Sequence, residues 1–151
     1  MTSLVRRFLK TGICFLLLGL LLGGWMMLRR ELAASSPSAY LVSAHTHAIL
    51  VGFVMMMILG VALWMFPRPA KGDTQYRPAM AEAAYWLLAA GTLARVLGEL
   101  ARTRSDAPWL RWAVVGSGAA QIVGLLLFLH TIWSRIRPVG SQARESGGER
   151  F

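Results

Sequence analysis

Two histidines near the start of a long apolar run are the residues of this chain best suited to chemistry. His45 and His47 lie in the stretch S-A-H-T-H-A-I-L-V-G-F, residues 43–53. The apolar run around them extends from Tyr40 to Phe66, long enough to cross a hydrocarbon core of about 30 Å as a helix. An imidazole inside such a span is costly to keep without a partner, so these histidines indicate a functional site.

The composition is that of an integral membrane protein. The chain has 151 residues, the size of one domain, and 56% of them are hydrophobic and gathered into runs. Its net charge of +9 does not indicate a nucleic-acid partner, because most basic residues flank the apolar runs, where they contact lipid headgroups. Cys14 is the single cysteine, which excludes an intrachain disulfide. The predicted class is therefore integral membrane, with the lipid bilayer as partner. A soluble helical bundle is the alternative class.

Four apolar runs predict an all-α fold, an integral membrane four-helix bundle formed by residues 1–137. The predicted spans cover about 12–28, 40–66, 79–101 and 109–133. Ser38 is a suitable N-cap for the second helix, and Pro78 suits the first turn of the third. The first run does not end in small residues, so we expect a retained span and not a cleaved signal peptide. Residues 138–151 are polar and rich in Gly and Ser, which predicts a disordered cytoplasmic tail.

The distribution of basic residues predicts the orientation. Of the sixteen Lys and Arg residues, ten fall in the N-terminal segment, the second loop and the C-terminal segment. The first and third loops, with Arg111 at the start of the fourth span, hold five, and Arg95 lies within the third span. By the positive-inside rule both termini are cytoplasmic, and we expect a multi-pass protein of the inner, cytoplasmic membrane.

Depth along the helices predicts which polar groups share a layer. His45 is expected about 7–8 Å, and Arg95 about 10 Å, below the outer interface. Glu99 follows Arg95 by one turn and shares its helix face. His130 is expected about 30 Å down, near the inner interface. The sequence therefore predicts that His45, Arg95 and Glu99 lie in one layer.

This layer has two interpretations. His45 and His47 point about 200° apart on a helix, so one should face the bundle and the other a neighbour, another subunit or the interface. Gly52, on the His45 face, leaves room for a flat cofactor or allows tight helix packing. With His45 as an axial ligand and Arg95 paired with a propionate, the layer would hold haem b. In the alternative, Arg95 pairs with Glu99 and His45 forms a hydrogen bond within the bundle.

Two further features are predicted to be structural. Met55, Met56 and Met57 are consecutive and point three ways around a helix, so they are expected to pack and not to bind copper. Gln121 lies in the middle of the fourth span, where an interhelical hydrogen bond is expected.

Residues 43–68, with their H-T-H-A-I-L-V-G-F run and F-P-R ending, resemble the second helix of the catalytic subunit, subunit I, of haem-copper oxidases. The resemblance is to the C-type cytochrome oxidases and the nitric oxide reductases, and it implies that His45 ligates a low-spin haem b. His47 stands where those enzymes have Asn, so no role carries over to it. Residues 91–99 and 118–137 also resemble that subunit. The helices that carry the family's second haem ligand and its other metal ligands fall outside this resemblance.

Three hypotheses follow. The first is a membrane haem b protein that acts in respiratory electron transfer or binds a diatomic gas, NO or O₂. It would form a homodimer or join a larger respiratory complex, with His47 of another subunit as a further iron ligand. The second is a non-enzymatic accessory or assembly subunit of a respiratory or denitrification complex. The third is a metal-handling protein that uses His45 and His47. The sequence assigns no catalytic residue.

Overall fold

A computed structural model of the chain describes residues 2–66, 77–136 and 148, and the regular structure within them is entirely helical. The four helices are α1 (Ser3–Ala33), α2 (Ala39–Met65), α3 (Pro78–Arg102) and α4 (Pro108–Trp133). This confirms the predicted all-α, four-helix architecture. The second loop, residues 67–76, and the predicted tail over 138–151, apart from Gly148, lie outside the described residues.

The helices begin where local chemistry favours a start. The Ser38 hydroxyl accepts a hydrogen bond from the Leu41 N–H at 3.3 Å, which confirms the predicted N-cap of α2. Pro78 and Pro108 lie in the first turns of α3 and α4, where the missing N–H costs no intrahelical hydrogen bond.

The first helix is longer than the predicted span. It continues through the basic residues at both ends, beyond the apolar run 12–28. The apolar run marks only the part of a helix that lies in the hydrocarbon core. Lys and Arg are good helix formers, so the helix can continue beyond that run into the interface.

Three of the helices, α1, α2 and α4, are long and apolar enough to cross a membrane. The third, α3, carries Glu82, Arg95 and Glu99, and it packs closely against α4. A Cβ atom at Gly124 would lie 3.2 Å from the Ala84 carbonyl oxygen, so the backbones of α3 and α4 approach at this glycine. Gln121 Nε2 donates to Thr92 Oγ1 across the same interface at 3.0 Å, which confirms the predicted interhelical hydrogen bond.

The main core lies where the N-terminal half of α1 meets the other helices. The fully buried Phe8 ring packs edge-on against Tyr85 and Phe128, with ring centroids 5.1 and 5.9 Å away. Met56 is buried in this core and Met55 packs against it, as predicted for structural methionines. A smaller core of Ala44, Ala48 and Val96 lies toward the other end of the bundle, beside the two histidines of α2.

The second helix is not a uniform α-helix. Residues His47–Met55 form π-helical turns between two α-helical segments. The apolar pattern of this run predicts helix but does not separate α from π turns. Wide turns of this kind occur often at functional sites in helices, and this one begins at His47.

Candidate functional site

His45 lies half-buried against α1. Its Nδ1 is 2.9 Å from the backbone carbonyl oxygen of Gly19. A carbonyl only accepts, so Nδ1 carries the proton, and Nε2 keeps a free lone pair in the neutral ring. A Cβ atom at Gly23 would lie 2.9 Å from Cε1 of the same imidazole. Two glycines one turn apart on α1 therefore form the seat of the His45 ring.

A cleft of about 330 Å³ opens beside His45, between α1 and α2. Its lining includes Gly23, Met26, Met27, Arg30 and Val42. Arg30 Nε lies 2.9 Å from Oε1 of Glu31, and both of these side chains are exposed. Glu31 also lines the cleft, which thus combines apolar walls, a thioether pair and the Arg30–Glu31 ion pair next to an imidazole of fixed tautomer.

His47 lies on the opposite face of α2, against α3. Its Nδ1 donates to the Ser43 carbonyl oxygen at 2.9 Å and lies 3.4 Å from Glu99 Oε2. The Ser43 hydroxyl donates to Glu99 Oε1 at 2.7 Å. Arg95 Nε donates to the same oxygen, also at 2.7 Å. Ser43, His47, Arg95 and Glu99 form one connected network between α2 and α3, hereafter the α2–α3 polar network.

Glu99 is the centre of this network and is only 1% exposed. Arg95 also donates through Nη1 to the Val114 carbonyl oxygen at 3.2 Å, which ties the network to α4. A Cβ atom at Gly118 would lie 2.7 Å from Arg95 Nη1, so this glycine makes room for the guanidinium. Among the described residues, Glu99 Oε2 makes no hydrogen bond. The network compensates a buried carboxylate, as a charge inside a helical bundle requires.

These contacts are those of the alternative interpretation of the predicted layer, in which Arg95 pairs with Glu99 and His45 forms a hydrogen bond within the bundle. His47 lies against Glu99, whereas His45 contacts α1. Depth fixes height along a helix but not the direction of each face. Because α2 lies between α1 and α3, both of its opposite faces meet helices: His47 faces α3, and His45 faces the neighbouring helix α1.

Gly52 does not leave room for a cofactor. A Cβ atom there would lie 2.5 Å from Cγ of Phe15, so the space beside this glycine is filled by α1. Gly52 lies on the α1-facing side of α2, as His45 does. Of the two roles predicted for this glycine, room for a cofactor or tight helix packing, the structure shows tight packing against α1.

The two histidines of α2 do not form a common metal site, because their rings face different helices. Within the described ranges there is no group of three or more His, Cys, Asp or Glu side chains that could hold a metal ion. His130 is exposed on α4. For the metal-handling hypothesis, the described residues of one chain therefore offer His45 and His47 no common site.

The contacts of His45 fit an axial ligand of haem. A metal-bound histidine usually donates its second ring N–H to a carbonyl or carboxylate, which fixes the tautomer and the ring orientation. The hydrogen bond to Gly19 has this form, and the cleft with Arg30 adjoins the ring. Arg95 does not line this cleft, and its guanidinium donates instead to Glu99 and to the Val114 carbonyl oxygen.

The family comparison agrees with the fold. The family model described as cytochrome c and quinol oxidase polypeptide I matches residues 3–144. Searches of curated proteins and of solved structures found no significant match. With three helices able to cross a bilayer, the chain is a multi-pass membrane protein. It belongs to the cytochrome c and quinol oxidase polypeptide I family, the subunit I family of haem-copper oxidases.

Proposed function

We propose that this membrane protein binds haem b through His45, in the cleft between α1 and α2. The observation that carries the proposal is the 2.9 Å hydrogen bond from His45 Nδ1 to the Gly19 carbonyl, which leaves Nε2 as a ligand atom. Membership of a family whose members bind haem supports the same assignment.

Arg30 replaces Arg95 as the proposed partner of a haem propionate. It lines the cleft that contains His45, and an arginine fork suits a carboxylate. Met26 and Met27 supply apolar, polarisable walls at the same place. Haem bound there would supply one-electron redox chemistry or an iron that takes a diatomic gas, and the protein would set its ligand and surroundings.

One subunit offers one histidine to this cleft, because His47 and His130 lie elsewhere. We therefore expect a five-coordinate haem in the isolated subunit, competent to bind CO or NO. A six-coordinate haem would need a ligand from Met26, Met27 or a second chain. The role proposed for the protein is electron transfer or gas binding in a respiratory membrane complex.

The absorption spectrum of the purified protein tests this proposal. The protein would be expressed with added haem precursor, purified in mild detergent, and measured oxidised, reduced and reduced under CO. A Soret band with stoichiometric haem and a shift under CO is the expected result. A protein that folds but carries no haem at any loading would contradict the proposal.

A second function, as a non-enzymatic accessory or assembly subunit, is favoured by the α2–α3 polar network. That network links three helices through side-chain and backbone hydrogen bonds alone. It could therefore serve purely to hold the bundle together. A protein without haem that is recovered intact with a larger oxidase complex would favour this function.

A further inference from the structure

A second cleft lies at the end of the bundle where α1 ends, α2 begins and α3 ends. Its volume is about 480 Å³, larger than that of the cleft beside His45. Arg29 of α1 and Arg104, just after α3, line it, together with Ser35, Ser36 and Ser38 of the α1–α2 connection. We call this the arginine cleft.

The arginine cleft is positively charged. It is lined by two arginines and by no carboxylate. Across residues 2–66 and 77–136, neither Arg29 nor Arg104 lies within 4.0 Å of a carboxylate oxygen, whereas Arg30 and Arg102 both do. The two guanidiniums thus leave a positive charge at the cleft that no described carboxylate neutralises.

The rest of the lining suits a phosphate group. Arg29 Nη2 donates to the Ser35 hydroxyl at 3.2 Å, which brings a hydroxyl beside the guanidinium. Ser38 is the N-cap of α2, so the positive end of that helix dipole also lies at the cleft. Guanidinium groups, hydroxyls and a helix N-terminus are the groups that bind phosphate oxygens in proteins.

The apolar part of the lining distinguishes a lipid from a free anion. Leu22, Leu41 and Leu100 face the cleft, and Trp25 lines it with the Arg29 guanidinium 5.8 Å from its ring centroid. Tryptophan is typical of the membrane–water interface, where a lipid presents its phosphate above its acyl chains. The cleft therefore has a polar rim and an apolar wall, as a lipid headgroup with its first chain segments requires.

We propose that the arginine cleft binds the phosphate of an anionic phospholipid, with Arg29 and Arg104 as its ligands. The site adjoins the His45 cleft, with which it shares Pro37, but its two arginines do not line that cleft and the proposal does not depend on haem binding. Two unneutralised guanidiniums attract an anionic headgroup and can donate hydrogen bonds to its phosphate oxygens.

Native mass spectrometry of the full-length protein tests the site. Delipidated protein in detergent is titrated with phosphatidylglycerol or with phosphatidylcholine, and bound lipid is counted. The variants are Arg29→Gln, Arg104→Gln and the double variant. Arg111→Gln is the matched control, because this exposed arginine lies in the first turns of α4, at the same end of the bundle but outside the cleft. Circular dichroism checks that each variant is folded.

We expect wild type and Arg111→Gln to bind phosphatidylglycerol in preference to phosphatidylcholine. Each cleft variant should bind it about fivefold more weakly, and the double variant more weakly still. Equal weakening by Arg111→Gln would show a diffuse surface-charge effect and would overturn the proposal, as would wild type without the preference. If the double variant does not fold, the single variants decide.

Inorganic phosphate separates the two sources of a phosphate group. Added at a concentration where chloride of equal ionic strength has no effect, it should leave phosphatidylglycerol bound. Displacement by inorganic phosphate, but not by chloride, would assign the cleft to a free anion and overturn the lipid assignment.

Discussion

Arg95 and Glu99 form an ion pair one turn apart on α3, with 2.7 Å between Nε and Oε1. The carboxylate is buried, and Ser43 of α2 donates to the same oxygen. Through the Ser43 hydrogen bond, the pair joins α3 to α2. The Arg95 guanidinium is therefore already occupied and is not available to bind a cofactor.

The pair predicts a stability effect. Arg95→Ala leaves Glu99 as a buried charge without its cation, and breaking such a pair costs about 3 kcal/mol. We expect this loss in the free energy of unfolding, measured by denaturant titration in mixed micelles. Haem content per folded protein should stay at the wild-type value.

Replacing both partners is the control. Arg95→Met combined with Glu99→Leu removes both charges, and such replacements are often neutral in stability. The double variant should therefore recover most of the loss. Haem loss in Arg95→Ala with unchanged stability would instead restore Arg95 as a propionate partner.

A substitution at Gly23 tests whether the contact with α1 positions the His45 imidazole. Alanine at this position would place Cβ 2.9 Å from Cε1 of the ring, so the ring or α1 must shift. Gly23→Ala should lower haem retention and move the Soret maximum, measured by absorption after gel filtration.

The neighbouring glycine supplies a matched control. A Cβ atom at Gly24 meets nothing within 4 Å, so Gly24→Ala should keep wild-type haem content. Equal behaviour of the two variants would show that the seat on α1 does not position the imidazole.

A substitution at Gly52 tests how closely α1 and α2 approach each other. Gly52→Ala pushes a Cβ atom into the Phe15 ring, and overpacking of this kind costs about 1–3 kcal/mol. The measurement is again unfolding in mixed micelles. Gly116→Ala, where a Cβ atom is unopposed, should be neutral or stabilising by up to about 1 kcal/mol. A neutral Gly52→Ala would mean that the helices do not approach this closely.

The fold followed from the sequence more fully than the site did. Apolar length, Ser38 and Pro78 predicted the helices and where two of them begin, because capping and burial are local properties. The site partners depended on which helix each face of α2 meets, and that is a property of the bundle. A signal was available for Arg95, since Glu99 follows it at i+4. No such signal was available for the hydrogen bond between His45 and Gly19, because every residue has a backbone carbonyl and the residue type does not show which one accepts.

Whether α3 also crosses the membrane decides on which side each terminus lies. If α3 crosses with the three apolar helices, both termini lie on one side, and the positive-inside rule makes that side the cytoplasm. A reporter active only outside the cytoplasm should be silent after Phe151 and active when inserted at Ser105. Activity after Phe151 would mean an odd number of crossings or the opposite orientation.

The most direct test of the account removes the imidazoles one at a time. His45→Ala, His47→Ala and His130→Ala would be purified with haem supplied, and the Soret absorbance per folded protein compared with wild type. We predict that His45→Ala loses the Soret band, while His130→Ala, at an exposed position on α4, keeps it. His47→Ala should also keep it, with some loss of stability from the α2–α3 polar network. Full haem retention in His45→Ala would contradict the assignment of this residue as the haem ligand, and with it the proposed function.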